Sequence, residues 1–370
     1  MTLVGDNAFE DVAHRSAIRY PLSAIRHKLS LMGYLCTSIV YRPKEHLMAD
    51  SGQRIADSGQ WTGPEIFVSV FLAWFFWPAL VEATLQGIHF YQWFYGPELV
   101  AVAESKDSDP AEKQKTRTRM TLWPMALAAP LQVLTFPLLF AALSGTRPEQ
   151  LGLTGRRFGR NLLAGVVGMV VLTPVVFGIY RFVQYLYARS GQGVEQHALE
   201  IVARQSLFPS EWVLLIFTAM VAAPVLEELA FRGVLQPWLA MRRWGGHVAM
   251  LGAFALAVRY RWEQISAAWP EGLEPMLTAA TPALFVLGLL PIYLLVWWRS
   301  RTPLATALFG TSALFACVHA SVWPTPVPLF VLALGLGTLA HRTRSLVGPI
   351  VLHSLFNGVS CMQLLMDKTY

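Results

Sequence analysis

The 370-residue chain is 54% hydrophobic and only 14% charged, well below the roughly 25% of charged residues usual in soluble domains, so an ordinary water-soluble globule is excluded. The net charge of +6 is not a nucleic-acid footprint, because the basic residues sit in short clusters between apolar runs, as in the loops of multi-pass membrane proteins. The cysteines Cys36, Cys317 and Cys361 show no metal or redox spacing, and neither a disulfide framework nor a cleavable leader is expected.

In chain order, residues 1–60 are basic and weakly periodic, and they read as a cytoplasmic arm. Their only apolar patch, Leu29–Tyr41, is too short to span a bilayer. Pro64–Phe90 is the first long apolar run; its Trp74 and Trp77, like Trp297 and Trp298 later, read as lipid-facing or interfacial. Ala101–Arg119 carries both signs of charge and reads as a solvent-exposed loop. Leu122–Leu143 is a second span, interrupted by Pro130 and Pro137, which neighbouring helices can tolerate in a membrane. A basic loop, Arg147–Arg160, contains Gln150-Leu-Gly-Leu153. Asn161–Tyr187 follows, with Gly165 and Gly168 permitting close helix contact.

After a polar loop over 188–210, Trp212–Leu239 is a further span. Gly246–Val258 is a short apolar run broken by Arg259 and Arg261, and Thr281–Trp298, Leu304–Val318, Pro326–Ala340 and Leu346–Met366 complete the set. The expected architecture is an all-α, polytopic transmembrane bundle of about eight or nine helices. It divides into an arm over 1–60, N-terminal transmembrane helices over 61–146, and a unit over 147–370. The basic segments Arg147–Arg160, Arg242–Arg243, Arg299–Arg301 and Arg342–Arg344 would share one side, which places the N-terminus in the cytoplasm; Ala101–Arg119, also rich in basic residues, dissents.

Three polar groupings interrupt the apolar runs. Glu227, Glu228 and Arg232 lie in Pro224-Val-Leu-Glu-Glu-Leu-Ala-Phe-Arg-Gly233, His319 ends Phe315-Ala-Cys-Val-His, and His353 lies one helical turn from Asn357. Ionisable residues inside a membrane are costly, face the bundle interior, and mark function by default. Glu228 and Arg232 have the i,i+4 spacing of a helical salt bridge. Glu227 points about 100° away and lacks that partner. The set holds no Ser–His or Cys–His nucleophile, since Cys317 lies on nearly the opposite helix face from His319. What remains is activation of water. Glu227 could accept its proton while His and Asn side chains support the oxyanion. Alternatively, Glu227, His319 and His353 could hold a divalent metal such as zinc, although the His-Glu-x-x-His pattern is absent. Taken singly, a buried His or Asn serves helix packing more often than chemistry.

Glu227-Glu228-x-x-x-Arg232, Phe315-x-x-x-His319 and His353-x-x-x-Asn357, in this order and each on an apolar helix, resemble the three motifs of the CPBP family. That family includes the CAAX prenyl endopeptidases of the Rce1 type and bacterial relatives often called Abi proteins. The resemblance covers roughly 147–366, with Leu-Gly-Leu153 as a supporting element. It implies a membrane-embedded endopeptidase acting on a peptide or protein that could be lipidated, in contact with membrane lipid and without nucleic acid, in the plasma (inner) membrane of the cell. By the resemblance, Glu227 is the water-activating residue and Arg232 the brace of the glutamate pair. His319 positions the water, and His353 with Asn357 supports the oxyanion; metallo- and glutamate-type mechanisms both stay open.

The family's first two motifs usually lie a few tens of residues apart, whereas Arg232 and His319 are much further apart here. The excess falls at about 245–302. An inserted pair of crossing helices would preserve the orientation of the second motif; a Gly246–Val258 run that failed to cross would invert it. The alternative function for such a chain is a non-catalytic membrane scaffold or bacteriocin-immunity-type protein of the same fold. A proton-coupled transporter is disfavoured by the lack of an internal repeat.

Overall fold

The structure, a computed structural model, describes residues 61–366 apart from 106, 190–194, 196–197, 206 and 301. The arm expected over 1–60, with Cys36, lies outside the described residues. Among them the chain forms thirteen helices and no strand. In order these are α1 Gly63–Gly87, α2 Phe90–Tyr95, α3 Pro97–Glu104, α4 Pro110–Ser144, α5 Phe158–Arg189, α6 Ala198–Ala203 and α7 Pro209–Ala240. They continue with α8 Gly245–Ala268, α9 Leu273–Ala279, α10 Thr281–Ser300, α11 Pro303–Cys317, α12 Pro326–Thr343 and α13 Val347–Met366. Nine of them run to 15 residues or more, in keeping with the eight or nine expected; the others are short connecting pieces.

Local chemistry sets the starts and stops. Thr62 and Glu65 close a capping box at the head of α1, and Asp109 caps α4 ahead of Pro110. Gly145 ends α4 in the left-handed conformation that glycine adopts without strain. Helices α1, α4, α5, α7, α10 and α13 are long and apolar enough to cross a membrane. Their outward faces are bare hydrocarbon, with Phe67 71% and Val170 63% exposed; water would penalise such a surface, whereas lipid matches it. The molecule is an integral, polytopic, all-α membrane protein.

Two expectations are corrected. Ala101–Arg119 is largely solvent-exposed, as expected, but it is not a loop: it is helical in α3 and again from Pro110, where it runs into α4. Arg119 is half-buried and donates from Nε and Nη2 to the two oxygens of the buried Glu211, each at 2.7 Å. Tyr95 and the Phe208 amide complete that carboxylate's bonds, also at 2.7 Å each. Reading the segment alone, one sees charge; the partner that neutralises it lies 92 residues on. Trp74 and Trp77 are half-buried, each engaged on one side by the neighbouring helix. Trp77 donates to Thr135 at 2.7 Å, and Trp74 meets Phe136 edge-on. Trp297 and Trp298 are exposed, as expected.

The insertion is the second correction. Gly246–Val258 is part of one 24-residue helix, α8, which carries Arg259 and Arg261 without a break. At about 1.5 Å per residue it is some 36 Å long, a span's length, although its charged second half keeps it out of the set apolar enough to cross by composition. Successive contacts fix its direction: Gly246 packs on Thr306 and Gly310, Ala249 on Gly310, and Gly252 on Leu314. The numbers rise together, so α8 and α11 are parallel. Helix α10 runs back between them, with Tyr293 touching both His247 and Phe309. The helix pair therefore returns the chain to its starting side.

The same test orders the rest. Helix α11 is antiparallel to α7, with Arg232 and Phe231 against Phe315 and Ala240 near Ala307. Helix α12 is parallel to α7, pairing Ala333 with Arg232 and Gly337 with Gln236. Helix α13 is antiparallel to α7, and α5 lies parallel to it through Gly165 and Gly168. The basic turns then gather at one end of the bundle. There the Leu346 amide donates to Gly152 O at 2.9 Å, and Trp61 bonds Thr146 at 2.8 Å.

Two predictions follow from this packing. A Cβ at Gly310 would meet the Gly246 carbonyl at 2.7 Å and Ala249 at 2.8 Å. Gly310→Val should therefore force α8 from α11 at a cost of about 1–3 kcal/mol and lower the thermal midpoint in detergent; an unchanged midpoint would contradict this packing. Tyr95 and Tyr91, outside the spans, are held above the ordinary phenol value of 10.0, first by burial and then by hydrogen bonds to Glu211 and Glu82. A phenol raised in the fold contributes stability that is complete below its unfolded value and lost as pH climbs above it. Alkaline titration at 295 nm should leave both silent until the protein unfolds.

Candidate active site

The site is built on the middle of α7, where the helix is irregular. Two widened, π-type turns, Thr218–Ala222 and Leu229–Leu235, flank the ordinary turn Ala223–Glu228 that carries both glutamates. Such turns leave backbone carbonyls short of partners and recur at functional sites. Gly233 lies in the second. A Cβ there would stand 2.8 Å from Leu151 O, so the glycine lets the Leu151-Gly152-Leu153 turn dock against the motif helix. That is the physical part played by the Leu-Gly-Leu153 element.

Glu228 is fully buried and held from two sides. Arg232 donates from Nη1 to its Oε1 at 2.8 Å, and His353 Nδ1 lies 2.9 Å from the same oxygen. A carboxylate paired with a guanidinium only accepts, so Nδ1 of His353 carries the proton. Arg232 is buried too, with its guanidinium 4.3 Å from the Phe315 ring centroid and a long bond to Ala333 O at 3.5 Å. This is the expected brace, with an imidazole and an aromatic face added to it.

Glu227 is different. Its side chain keeps 20% of its exposure, yet Oε2 is buried without a hydrogen-bond partner among the described residues. That oxygen lies 4.0 Å from Nε2 of His353. The gap is too long for a direct hydrogen bond.

His319 stands just past the end of α11, with Nδ1 on Phe315 O at 3.0 Å. A carbonyl only accepts, so this histidine also donates from Nδ1 and presents Nε2 outward. The Phe315 ring joins the parts, its centroid 5.4 Å from the His319 ring and 5.8 Å from that of His353. Asn357 donates to Ala219 O at 2.8 Å, in the first widened turn of α7. It thus ties α13 to α7, and its second N–H is left over from that bond.

The structure therefore joins Glu227, Glu228, Arg232 and His353, sets His319 beside them across Phe315, and places Asn357 one turn further along α13. It does not bring the alternative metal set together. Among the described residues, no group of three or more His, Cys, Asp or Glu side chains is arranged to hold an ion, and Glu227, His319 and His353 are no exception. Phe315 lay inside the second motif, but its part as the common wall of both histidines had no sequence signal. The Ala219 carbonyl was invisible for the same reason, since widened turns do not show in hydropathy.

The chain matches the family model described as Type II CAAX prenyl endopeptidase Rce1-like, in two pieces over residues 209–304 and 289–359. These pieces contain all six site residues, and they overlap over 289–304, beginning within α10 of the extra helix pair. No curated protein and no solved structure matches the chain. With three motifs in order and this match over 209–359, the chain is similar to the CPBP family of CAAX-protease-like membrane peptidases, in its Rce1-like group.

Proposed function

We propose that residues 147–370 form an intramembrane endopeptidase unit, with a helix pair inserted at about 245–302, and that Glu227 is its general base. The observation that carries this reading is the contrast between neighbours. Both glutamates keep a buried Oε2 without a hydrogen-bond partner among the described residues, but Glu228 is committed through Oε1 to Arg232 and His353, whereas Glu227 makes no such bond and places its free oxygen 4.0 Å from His353 Nε2. A water seated there gives one hydrogen to Glu227 and the other to the neutral His353, and its lone pair faces an incoming peptide carbonyl. On attack, the water proton passes to Glu227 and a tetrahedral oxyanion forms. Charge on that oxygen falls to the second N–H of Asn357, with His319 completing the wall. Collapse breaks the C–N bond while Glu227 returns its proton to the leaving amine, yielding a carboxylate product and a free amine. Glu228 and Arg232 act by holding His353. No step is routed through a metal, because the side chains do not fit one.

A peptide entering near the membrane surface, with a lipid-modified tail as the leading substrate class, suits a site set among spans. We place the basic end of the bundle in the cytoplasm and the protein in the plasma membrane. The test is cleavage in nanodiscs of a quenched peptide ending in a prenylated CAAX sequence, beside an unprenylated copy. Glu227→Gln should lower kcat by roughly 10²–10⁴-fold with the fold retained. Full activity in that variant would overturn the assignment of the base, and a wild type that cleaves neither peptide would favour the scaffold or immunity-type reading. Activity that survives a strong chelator in metal-free buffer supports the glutamate–water route; loss restored by zinc would return the metal. Arg232→Met should fail differently. It leaves Glu228 buried without its cation, so stability should fall by about 3–5 kcal/mol, and Arg232→Lys should soften that loss in unfolding measurements.

A further inference from the structure

We infer that the Glu195–Arg261 ion pair positions His319, so that the inserted helix α8 serves the site; this rests on the peptidase reading above. His319 opens the turn over 318–325, where its amide bonds Ala316 O at 3.1 Å and its carbonyl accepts from Val322 at 3.0 Å. Its imidazole bonds back to Phe315 O, in its own turn of helix. The direction of the ring therefore depends on how that turn is held. Four residues on, the Trp323 amide donates to Glu195 Oε2 at 2.8 Å, and the Glu195 amide donates to Trp323 O at 3.2 Å.

The same carboxylate receives Arg261 Nη1 at 2.5 Å and Nη2 at 2.7 Å, the two-pronged geometry only arginine offers. The Arg261 side chain is 8% exposed and that of Glu195 41%, so the pair is buried on the arginine side, where losing the carboxylate would leave the guanidinium uncompensated. The Trp323 indole donates to Tyr187 Oη and its ring faces Phe285. The turn behind His319 is thus tied to α5, α8 and α10. Two of these, α8 and α10, belong to the insertion. An arginine that the sequence presents as interrupting an apolar run becomes the anchor of the second motif.

The experiment uses the full chain in nanodiscs, with hydrogen exchange over 318–325 and steady-state cleavage of the prenylated peptide. Arg261→Met is expected to speed exchange at Trp323 about tenfold, the loss of one charge-assisted bond. Exchange across 224–233 should stay unchanged. In the same variant kcat should fall several-fold at constant KM, with partial recovery in Arg261→Lys. Glu195→Gln keeps an oxygen for the Trp323 amide while giving up the charge, and it serves if the methionine variant does not insert. Unchanged exchange over 318–325, or faster exchange with kcat intact, would overturn the inference. A wild type without cleavage would instead sink the peptidase reading, and exchange would still decide whether the pair holds the turn.

Discussion

The molecule is organised around the cost of keeping Glu228 charged away from water. Its side chain is fully buried and that of Arg232 is 3% exposed, so the pair is desolvated on both sides. Coulomb attraction between them offsets that loss only with good geometry and further bonds. Both are present. The i,i+4 spacing gives a 2.8 Å contact, His353 adds a second donor, and Phe315 covers the guanidinium with its ring. Four helices are drawn in by that requirement: α7 supplies the pair, α13 the histidine, α11 the aromatic face and α12 a carbonyl. A catalytic constellation assembled this way is rigid for the same reason it is stable.

That rigidity leaves one group with freedom. Glu227 lies beside the cluster and shares its burial only in part, so its unpartnered oxygen can exchange a proton without unpicking the brace. The division of labour between adjacent carboxylates follows from helical geometry: neighbours in sequence point about 100° apart and meet different surroundings. The two widened turns sharpen the contrast, and one of them offers Asn357 its anchor at Ala219.

The inserted helices show how a membrane protein absorbs extra chain without losing its site. Adding one crossing helix would have inverted everything after it. Adding α8 and α10 together preserves the sense of α11, and the parallel contact of α8 with α11 is made tight by Gly246, Gly310 and small neighbours. In lipid such close packing stands in for the hydrophobic drive that operates in water. At the other end of the bundle, Glu211 is satisfied more fully than Glu228, whose Oε2 is buried without a partner among the described residues. A buried charge is best tolerated when every lone pair finds a donor.

What the sequence determined by itself was local: apolar runs long enough to cross, helix ends marked by Gly, Pro and basic clusters, and the i,i+4 relation of Glu228 to Arg232. It also set out the three motifs, because residues one turn apart on a helix declare their shared face. Several decisions belonged to the tertiary structure. Arg119 read as loop charge and Arg261 as a break in an apolar run, because their carboxylates lie 92 and 66 residues away. The crossing of α8 turned on whether its arginines could be accommodated, which depended on such partners. Which glutamate is braced by a histidine, and which is left facing one at 4.0 Å, was likewise decided by how α13 seats against α7. Hydropathy records the cost of burying a charge, whereas the partner that offsets it is brought near only by folding.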